Sequence, residues 1–472
     1  MVFSSHIFLF YFLPFALLLY YAVPLRLRHL TLTGLSYGFY GWSNPAFMAL
    51  MLFSTVVDYV CGLVIGTDAS AHRTVRRKMA LAVSMICNLS LLGFFKYFNF
   101  GLDSYLRLLE ALGQDAAQWD TFLQVTLPLG ISFYTFQSMS YSIDVYRGDA
   151  KPMRNVIDFA CYVSMFPQLV AGPIVRFREV ATQFAERTHT VEKFARGVAF
   201  FSLGMAKKIL LANPCGKIAD TMFDAGSVGT LDAWFGVCGY SFQIYFDFSA
   251  YSDMAIGLGL MFGFVFPKNF DSPYHAKSIT EFWQRWHLSL SHWLRDYLYI
   301  PLGGNRKGDG RTYVNLALVM LLGGLWHGAS WNFVLWGAIH GGMLAFERTQ
   351  GKESLYARLP LVLRRAITFV VVGFAWVFFR AATLDDAMHY LASMFGLGGV
   401  AEGAALVAGL VYKPYYLVSI LLAAGVTWFA PQTWDFTRRL TPLRAAWCVL
   451  LLLVSVAVMT SQSFNPFIYF IF

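Results

Sequence analysis

The sequence predicts an all-α polytopic integral membrane protein, and three observations support this fold class. The chain has 472 residues, of which 57% are hydrophobic and only 13% are charged, whereas soluble domains carry about 25% charged residues. Apolar runs close to 20 residues long recur along it, a length that suits a hydrocarbon core about 30 Å thick. These runs occupy residues 7–23, 46–66, 79–98, 198–212, 366–380 and 446–462. Basic residues also cluster in alternate short loops, as cytoplasmic segments do.

The distribution of charge orients these runs across the membrane. We expect the basic loops over 26–28, 73–78, 147–154, 303–311, 348–365 and 438–444 to face the cytoplasm. The acidic or neutral loops over 103–120, 220–232 and 385–402 would face out. The alternation predicts about 12 transmembrane helices with both termini outside, plus a segment near 157–175 that enters and leaves on one side. The same alternation accounts for the net charge of +9, so the charge does not indicate nucleic-acid binding. The simplest division of the chain is one integral domain over 1–472.

Several patterns count against other kinds of site. None of the six cysteines forms a CxxC pair, so we expect small buried hydrophobic side chains. The chain has no HExxH motif and no cysteine–histidine metal spacing, and we expect no metal site. Residues 34–38, Gly-Leu-Ser-Tyr-Gly, match the nucleophile elbow, but they lie in an apolar helix without the preceding strand that this motif requires.

The most informative feature is His327, at the end of the apolar run Leu-Leu-Gly-Gly-Leu-Trp-His-Gly over 321–328. An ionisable side chain inside a membrane is costly and usually has a function. One interpretation is a histidine hydrogen-bonded within helix packing; the other is a general base that burial keeps neutral. Gly323, Gly324 and Gly328 would allow a ligand or another helix to approach closely. If the helix starts at the surface near Arg311, His327 lies about 24 Å deep.

A second histidine, His287, lies in the polar but aromatic stretch 268–311. Ser278 and Glu281 fit a capping box at a helix start, and we expect one helix at the membrane interface. Its apolar face would carry Trp283, Trp286, Leu290, Trp293, Leu294 and Tyr297. On that projection His287 lies at the margin of the apolar face, directed to the protein interior, whereas His292 lies on the polar face with Arg285 and Asp296.

Two further clusters are candidates for chemistry. Tyr245, Asp247 and Asp253 belong to a polar interruption of a long apolar run. They either form a satisfied cluster that breaks or kinks the helix, or orient a catalytic histidine and line a cavity. Asn305 and Arg306 belong to the loop Gly-Gly-Asn-Arg-Lys-Gly over 303–308. That loop could hold phosphate groups through its N–H groups and cations, or its charge could simply reflect cytoplasmic topology.

With these residues identified, the chain resembles the membrane-bound O-acyltransferases, specifically the bacterial alginate O-acetylation type. The resemblance covers most of the chain and implies a ring of tilted helices around a central funnel. It also implies that His327 corresponds to the invariant histidine of the family and His287 to its second characteristic polar position. The strings that carry it are at 1–5, 127–134, 145–148, 171–173, 245–249, 278–287, 293–299 and 324–328.

The function expected from this resemblance is that of a multi-pass O-acetyltransferase subunit of a bacterial inner membrane. It would use acetyl-coenzyme A or a phosphopantetheine thioester as donor, without a bound cofactor, and modify an exopolysaccharide such as alginate or cellulose. His327 and His287 are the predicted catalytic residues. The predicted substrate-binding residues are Trp283, Trp286, Tyr245, Asp247, Asp253, Trp326, Asn305 and Arg306.

The partners expected are membrane lipid, the exopolysaccharide and an outward-facing acetyl acceptor with a serine hydrolase-like (SGNH) fold. That acceptor is expected because the outward loops reach only about 20 residues, whereas a compact domain needs at least about 50. The alternatives are D-alanyl or lipid and protein O-acyl transfer within the same family, and, in a different class, an ion-coupled channel or transporter that uses the buried carboxylates and histidines.

Overall fold

A computed structural model describes residues 2–42, 44–66, 74–114, 124–351, 355–462 and 464–468. Within these ranges all regular secondary structure is helical and there is no β-strand, which confirms the all-α prediction. The helices group into two compact units, Met1–Thr188 and His189–Phe472.

The first unit contains eight α-helices among its described residues, and a π-helical turn, Phe8–Phe12, leads into the first of them. They are α1 (Leu13–Ala22), α2 (Arg28–Gly41), α3 (Ala46–Gly66), α4 (Val75–Ala111), α5 (Ile131–Arg147), α6 (Val156–Ser164), α7 (Phe166–Leu169) and α8 (Phe177–Ala185).

The second unit contains fourteen α-helices among its described residues and carries both candidate histidines. They are α9 (Val191–Ala206), α10 (Asn213–Asp224), α11 (Thr230–Met261), α12 (Ile279–Trp283), α13 (Leu288–Leu294), α14 (Asp309–His327), α15 (Trp331–Gln350), α16 (Leu355–Arg358), α17 (Leu361–Arg380), α18 (Leu384–Met394), α19 (Ala404–Ala408), α20 (Pro414–Phe429), α21 (Thr433–Phe436) and α22 (Pro442–Ser461). Two π-helical turns continue α9 and α13, over Lys207–Ala212 and Arg295–Tyr299.

Four of the described helices are long and apolar enough to cross a membrane: α3, α4, α17 and α22. Two shorter apolar helices cover Phe8–Ala22 and Pro414–Phe429. The helices α6 and α7 lie in the segment that we expect to enter and leave on one side, and α6 has only 9 residues. The total of about 12 crossings remains a prediction from the charge pattern.

Four of the expected loops are helical in part or extend beyond the described residues. The helix α4 continues to Ala111, so the first part of the expected outward loop 103–120 is helical, and 115–120 lies outside the described residues. The expected outward loop 220–232 overlaps the end of α10, whose Asp220 and Asp224 accept hydrogen bonds from Arg380 at 2.7 and 3.1 Å. The expected cytoplasmic loops 73–78 and 348–365 lie outside the described residues at position 73 and over 352–354.

Close helix packing positions the second unit around α11, which is buried over nearly its whole length. A Cβ atom added at Gly197 of α9 would lie 2.6 Å from the carbonyl oxygen of Gly257 in α11, and the reverse distance is also 2.6 Å. Only glycine allows two helix backbones to approach so closely. In the same way, a Cβ atom on Gly324 of α14 would collide with the backbone of Phe333 in α15, and this contact fixes α14 near its C-terminus.

Candidate functional site

The segment around His287 is not the single interfacial helix that we predicted. The helix α12 ends at Trp283, α13 begins at Leu288, and His287 lies between them in the left-handed region with φ 43° and ψ 57°. A left-handed backbone is unusual for a residue with a side chain, so a helical projection cannot place His287. The prediction that it points into the protein is nevertheless confirmed, because His287 is fully buried whereas His292 is partly exposed.

The capping box at the start of this segment forms only in part. The Ser278 hydroxyl accepts a hydrogen bond from the Glu281 N–H at 3.0 Å, as predicted. The Glu281 carboxylate accepts from the Lys277 N–H at 3.0 Å, not from the N–H of Ser278. Asp296, expected on the polar face, is buried and pairs with Arg295 at 2.7 Å.

Hydrogen bonds hold the His287 ring in one orientation. Its Nδ1 lies 3.1 Å from Asn269 Oδ1, and the same oxygen accepts from the Ser289 hydroxyl at 2.8 Å. Asn269 Nδ2 in turn donates to the Ser252 hydroxyl at 2.9 Å. An acceptor facing Nδ1 favours the tautomer with the proton on Nδ1 and a lone pair on Nε2. His287 Nε2 is buried and has no hydrogen-bond partner in the described structure.

Burial also keeps His287 neutral. The ring lies outside the four helices that are long enough to span a membrane, and desolvation together with the nearby His327 lowers the pKa of His287 well below its usual value. A neutral imidazole that offers Nε2 can accept a hydrogen bond or a proton.

His327 is the last residue of α14 and is buried. Its ring centroid lies 6.5 Å from that of His287, 5.2 Å from Trp336 and 5.4 Å from Phe379. The helix is continuous from Asp309 to His327, so the axial distance from Arg311 remains about 24 Å. Because Gly324 and Gly328 pack directly against Phe333, the expected close approach at these two glycines is that of a neighbouring helix.

Two cavities meet His327. A partly open cavity of about 200 Å³ is lined by His327, Trp283, Met320, Gly323 and Trp336, and its wall is almost entirely apolar. A small cavity of about 10 Å³ lies beside the same imidazole, among Phe248, Trp286, Trp336, Trp376 and Phe379. The arrangement surrounds both imidazoles with apolar and aromatic side chains, where polar interactions are strengthened.

The predicted tryptophans lie inside the protein and not in a membrane interface. Trp286 is 2% exposed and packs against Phe270 and Trp376 at centroid distances of 5.1 Å. Trp283 is partly buried and lines the larger cavity. Trp326 packs edge-on against His327 at 5.0 Å. The structure thus brings all three tryptophans to the histidine pair: Trp283 and Trp286 from the chain just before His287, and Trp326 from α14.

The predicted carboxylates do not join the histidines. Asp247 forms an ion pair with Lys208 at 2.7 Å, and Asp253 forms one with Lys207 at 2.7 Å. Tyr245 is buried, and its hydroxyl accepts from Gln432 at 3.3 Å. The helix α11 runs unbroken through all three predicted residues, so the expected break is absent. Of the two alternatives, the satisfied cluster fits the contacts, since each carboxylate has a cation.

Asn305 and Arg306 also lie away from the histidines. Both are exposed in the loop that precedes α14, and His327 is at the other end of that helix. Gly303, Gly304 and Gly308 have φ values of 114°, 56° and 84°, which only glycine adopts readily. These conformations make the loop a tight turn; they do not decide whether it meets a phosphate.

The remaining motifs behave as expected. The hydroxyl of Ser36 donates to the carbonyl of Leu32 within α2 at 2.7 Å and accepts from the Phe166 N–H at 3.0 Å, so it is a packed helix residue. All six cysteines are unpaired and buried or partly buried.

Several residues at the site were not predicted. Asn269, Ser289, Trp336, Phe379 and Ile468 contact the histidines or line their cavities. No local pattern identifies them, because they come from five separate parts of the chain. Lys207 and Lys208 did carry a signal: two cations inside an apolar run require buried partners, and Asp247 and Asp253 were available.

Comparisons with known proteins assign this site to a family. Residues 150–383 match MBOAT, the membrane-bound O-acyltransferase family, and this stretch includes both histidines. The chain is 50% identical over 398 residues to the probable alginate O-acetylase AlgI of Azotobacter vinelandii, covering 84% of this chain and 79% of the relative. It is 44% identical to the probable alginate O-acetylase AlgI of Pseudomonas putida over 100% of both chains. Identity to the peptidoglycan O-acetyltransferase of Helicobacter pylori is 38%, over 85% of this chain and 81% of that protein.

Proposed function

We propose that this chain, which belongs to the membrane-bound O-acyltransferase family and is an O-acyltransferase, supplies acetyl groups for the O-acetylation of a polysaccharide. The names of its relatives support this choice, since they refer to alginate and to peptidoglycan. Alginate or a similar exopolysaccharide is the favoured acceptor, because the chain matches a probable alginate O-acetylase over the whole length of both proteins.

One observation carries the proposal. Two buried imidazoles lie with ring centroids 6.5 Å apart, beside an apolar cavity of about 200 Å³ that reaches His327. Transfer of an acyl group to a hydroxyl requires a neutral base and exclusion of water. The buried histidine pair and its aromatic surroundings support the proposal on both points.

In the proposed reaction the acceptor hydroxyl attacks the thioester carbonyl while His327 removes its proton. A C–O bond forms, the C–S bond breaks, and the proton passes from His327 to the leaving thiolate, so that atoms and charge balance. His287, whose ring centroid lies 6.5 Å from that of His327, orients the reacting groups. The three tryptophans wall the site.

The donor is proposed to be acetyl-coenzyme A or a phosphopantetheine thioester that enters from the cytoplasm. The basic loops 303–311 and 348–365, which the positive-inside rule places there, support that direction. We further propose a multi-pass protein of a bacterial inner membrane with about 12 crossings arranged as a ring around a funnel, and a single functional domain over 1–472. The apolar helices and the family support this arrangement.

A partner is proposed to complete the transfer. No outward loop expected from the charge pattern is long enough to form a compact domain that positions a polymer. An outward-facing protein with a serine hydrolase-like fold would accept the acetyl group on its serine hydroxyl or carry it to the polysaccharide.

The test uses the purified full-length protein in vesicles with labelled acetyl-coenzyme A, polysaccharide and the partner. We expect alkali-labile acetyl ester on the polymer only with the partner present, and a loss of about 10²–10⁴-fold on His327→Ala. His292→Ala, a partly exposed control, should retain most of the rate. Ion flux through the same vesicles without any ester would instead support the channel alternative, and full-rate acetylation without the partner would contradict the relay.

A further inference from the structure

The segment 464–468 is anchored to the rest of the second unit by hydrogen bonds and an aromatic contact. Asn213 Nδ2 donates to the Phe464 carbonyl at 3.3 Å, and Lys208 Nζ donates to the Pro466 carbonyl. The Ile468 N–H donates to Asp247 Oδ2 at 2.9 Å. The ring of Phe467 stacks on Tyr251 with a centroid distance of 4.4 Å. Three backbone groups of five consecutive residues are thus held by side chains of the unit core.

The buried ion pair between Lys208 and Asp247 is the centre of this anchor. Their side chains are 3% and 1% exposed, and Nζ lies 2.7 Å from Oδ1. A buried ion pair loses more solvation than its Coulomb attraction returns unless further hydrogen bonds satisfy both partners. The segment provides those bonds, because Lys208 donates to Pro466 and Asp247 accepts from Ile468. The pair and the segment therefore depend on each other.

The anchored segment reaches the histidine site through one side chain. Ile468 is 2% exposed and lines the cavity of about 10 Å³ beside His327, together with Trp286, Trp336 and Phe379. A cavity of this size holds about one group as large as a water molecule. A methyl group is the alkyl group nearest to that size, so a longer acyl chain would not fit in this small cavity.

We infer that segment 464–468 is a wall of the active site and that Ile468 limits the acyl group to acetyl. Lys208 and Asp247 are positioning residues, since they act through the segment. This inference rests on the proposed acetyl transfer at His327. The inference adds Ile468, a residue distant in sequence from His327, as the side chain that decides which acyl thioester is accepted.

The test compares acetyl- and propionyl-coenzyme A as donors for the reconstituted protein with its acceptor. We expect Ile468→Ala to raise the ratio of the propionyl rate to the acetyl rate by about tenfold, since one methylene changes discrimination by about 10- to 200-fold. Ile468→Val should move the ratio in the same direction by less, and it covers the case in which the alanine variant is unstable. Lys208→Met should also raise the ratio, because the segment loses its anchor.

Ile218→Ala is the matched control. Ile218 is fully buried in α10 and packs in a separate cluster with Met222 and Val411, so the same truncation there should leave the ratio unchanged. If wild-type protein transfers no acyl group, the proposed function fails. If wild-type protein transfers acetyl and Ile468→Ala and Ile468→Val keep the wild-type ratio, the inference about the wall is overturned while acetyl transfer stands.

Discussion

The histidine pair and the two lysine–aspartate pairs lie in the same unit, yet their polar atoms are satisfied very differently. Lys207 and Asp253 are 2.7 Å apart, and Asp253 also accepts from the Thr433 hydroxyl at 2.7 Å. His287, by contrast, has one nitrogen bonded to Asn269 and the other without a partner. His327 additionally borders two cavities.

Whether a buried polar group is fully paired distinguishes structural residues from catalytic candidates better than residue type does. A buried polar group that is fully paired contributes to packing and can do little else. A buried polar atom without a partner, next to a cavity, has room for a ligand and a reason to bind one. Both regions place polar side chains near apolar sequence, so the sequence alone offered both as candidates for chemistry.

The largest expected effect that tests this comparison is a change in the free energy of unfolding. Lys207→Met leaves the Asp253 carboxylate, which is 14% exposed, without its cation, and we expect destabilisation of at most about 3–5 kcal/mol, the cost for a fully buried pair. The double variant Lys207→Met with Asp253→Leu should recover most of that loss, because no charge remains unpaired. Thermal unfolding in detergent measures both.

His327→Ala serves as the opposite control, with nearly wild-type unfolding and no acetyl transfer. If His327→Ala lowers the unfolding temperature as much as Lys207→Met does, His327 has a structural role and the contrast between the two regions is wrong.

How far the sequence reaches can be judged from individual residues. The all-helical class, the bounds of α3 and the burial of His287 and His327 follow from hydrophobicity and from the cost of polar groups in a membrane. The break between Trp283 and Leu288 does not follow, since the apolar positions continue in helical register through it and only tertiary contacts with Asn269 stabilise the left-handed His287.

The same limit applies to partners. Asp247 and Asp253 lie in one apolar run, but their cations, Lys207 and Lys208, come from the π-helical turn that continues α9. Ion-pair partners that are distant in sequence depend on tertiary packing, which the periodicity of a local segment cannot predict. Ile468 is the extreme case, because it reaches His327 from 141 positions away in the chain.

A smaller expected effect, on the pH dependence of the acetyl-transfer rate, tests the role of Asn269. Asn269→Asp places a carboxylate against Nδ1–H and should raise the pKa of His287, which burial and His327 now keep low. At a pH below the new value the imidazolium loses the lone pair of Nε2, so the acid limb of the acetyl-transfer rate should move to higher pH. A rise of one unit reduces the neutral fraction there about tenfold.

Asn269→Leu removes the same hydrogen bond without adding charge. It should lower the rate at every pH while leaving the acid limb in place. Superimposable pH profiles for the two variants would mean that Asn269 only packs.

The smallest expected effect concerns the exposed loop before α14. Arg306→Gln with Lys307→Gln removes two cations that, in the proposed topology, meet the phosphates of the donor. Because both side chains are exposed, we expect the apparent KM for acetyl-coenzyme A to rise only about two- to fivefold, with kcat unchanged. The difference in KM between the variant and the wild-type protein should vanish near 1 M salt, where the Debye length falls to about 3 Å.

The matched control is Arg438→Gln with Arg439→Gln, an exposed pair in another predicted cytoplasmic loop. An equal change in KM for both pairs would assign the charge of the 303–308 loop to membrane topology alone, and the histidine site would then remain the only place where this chain is expected to recognise its donor.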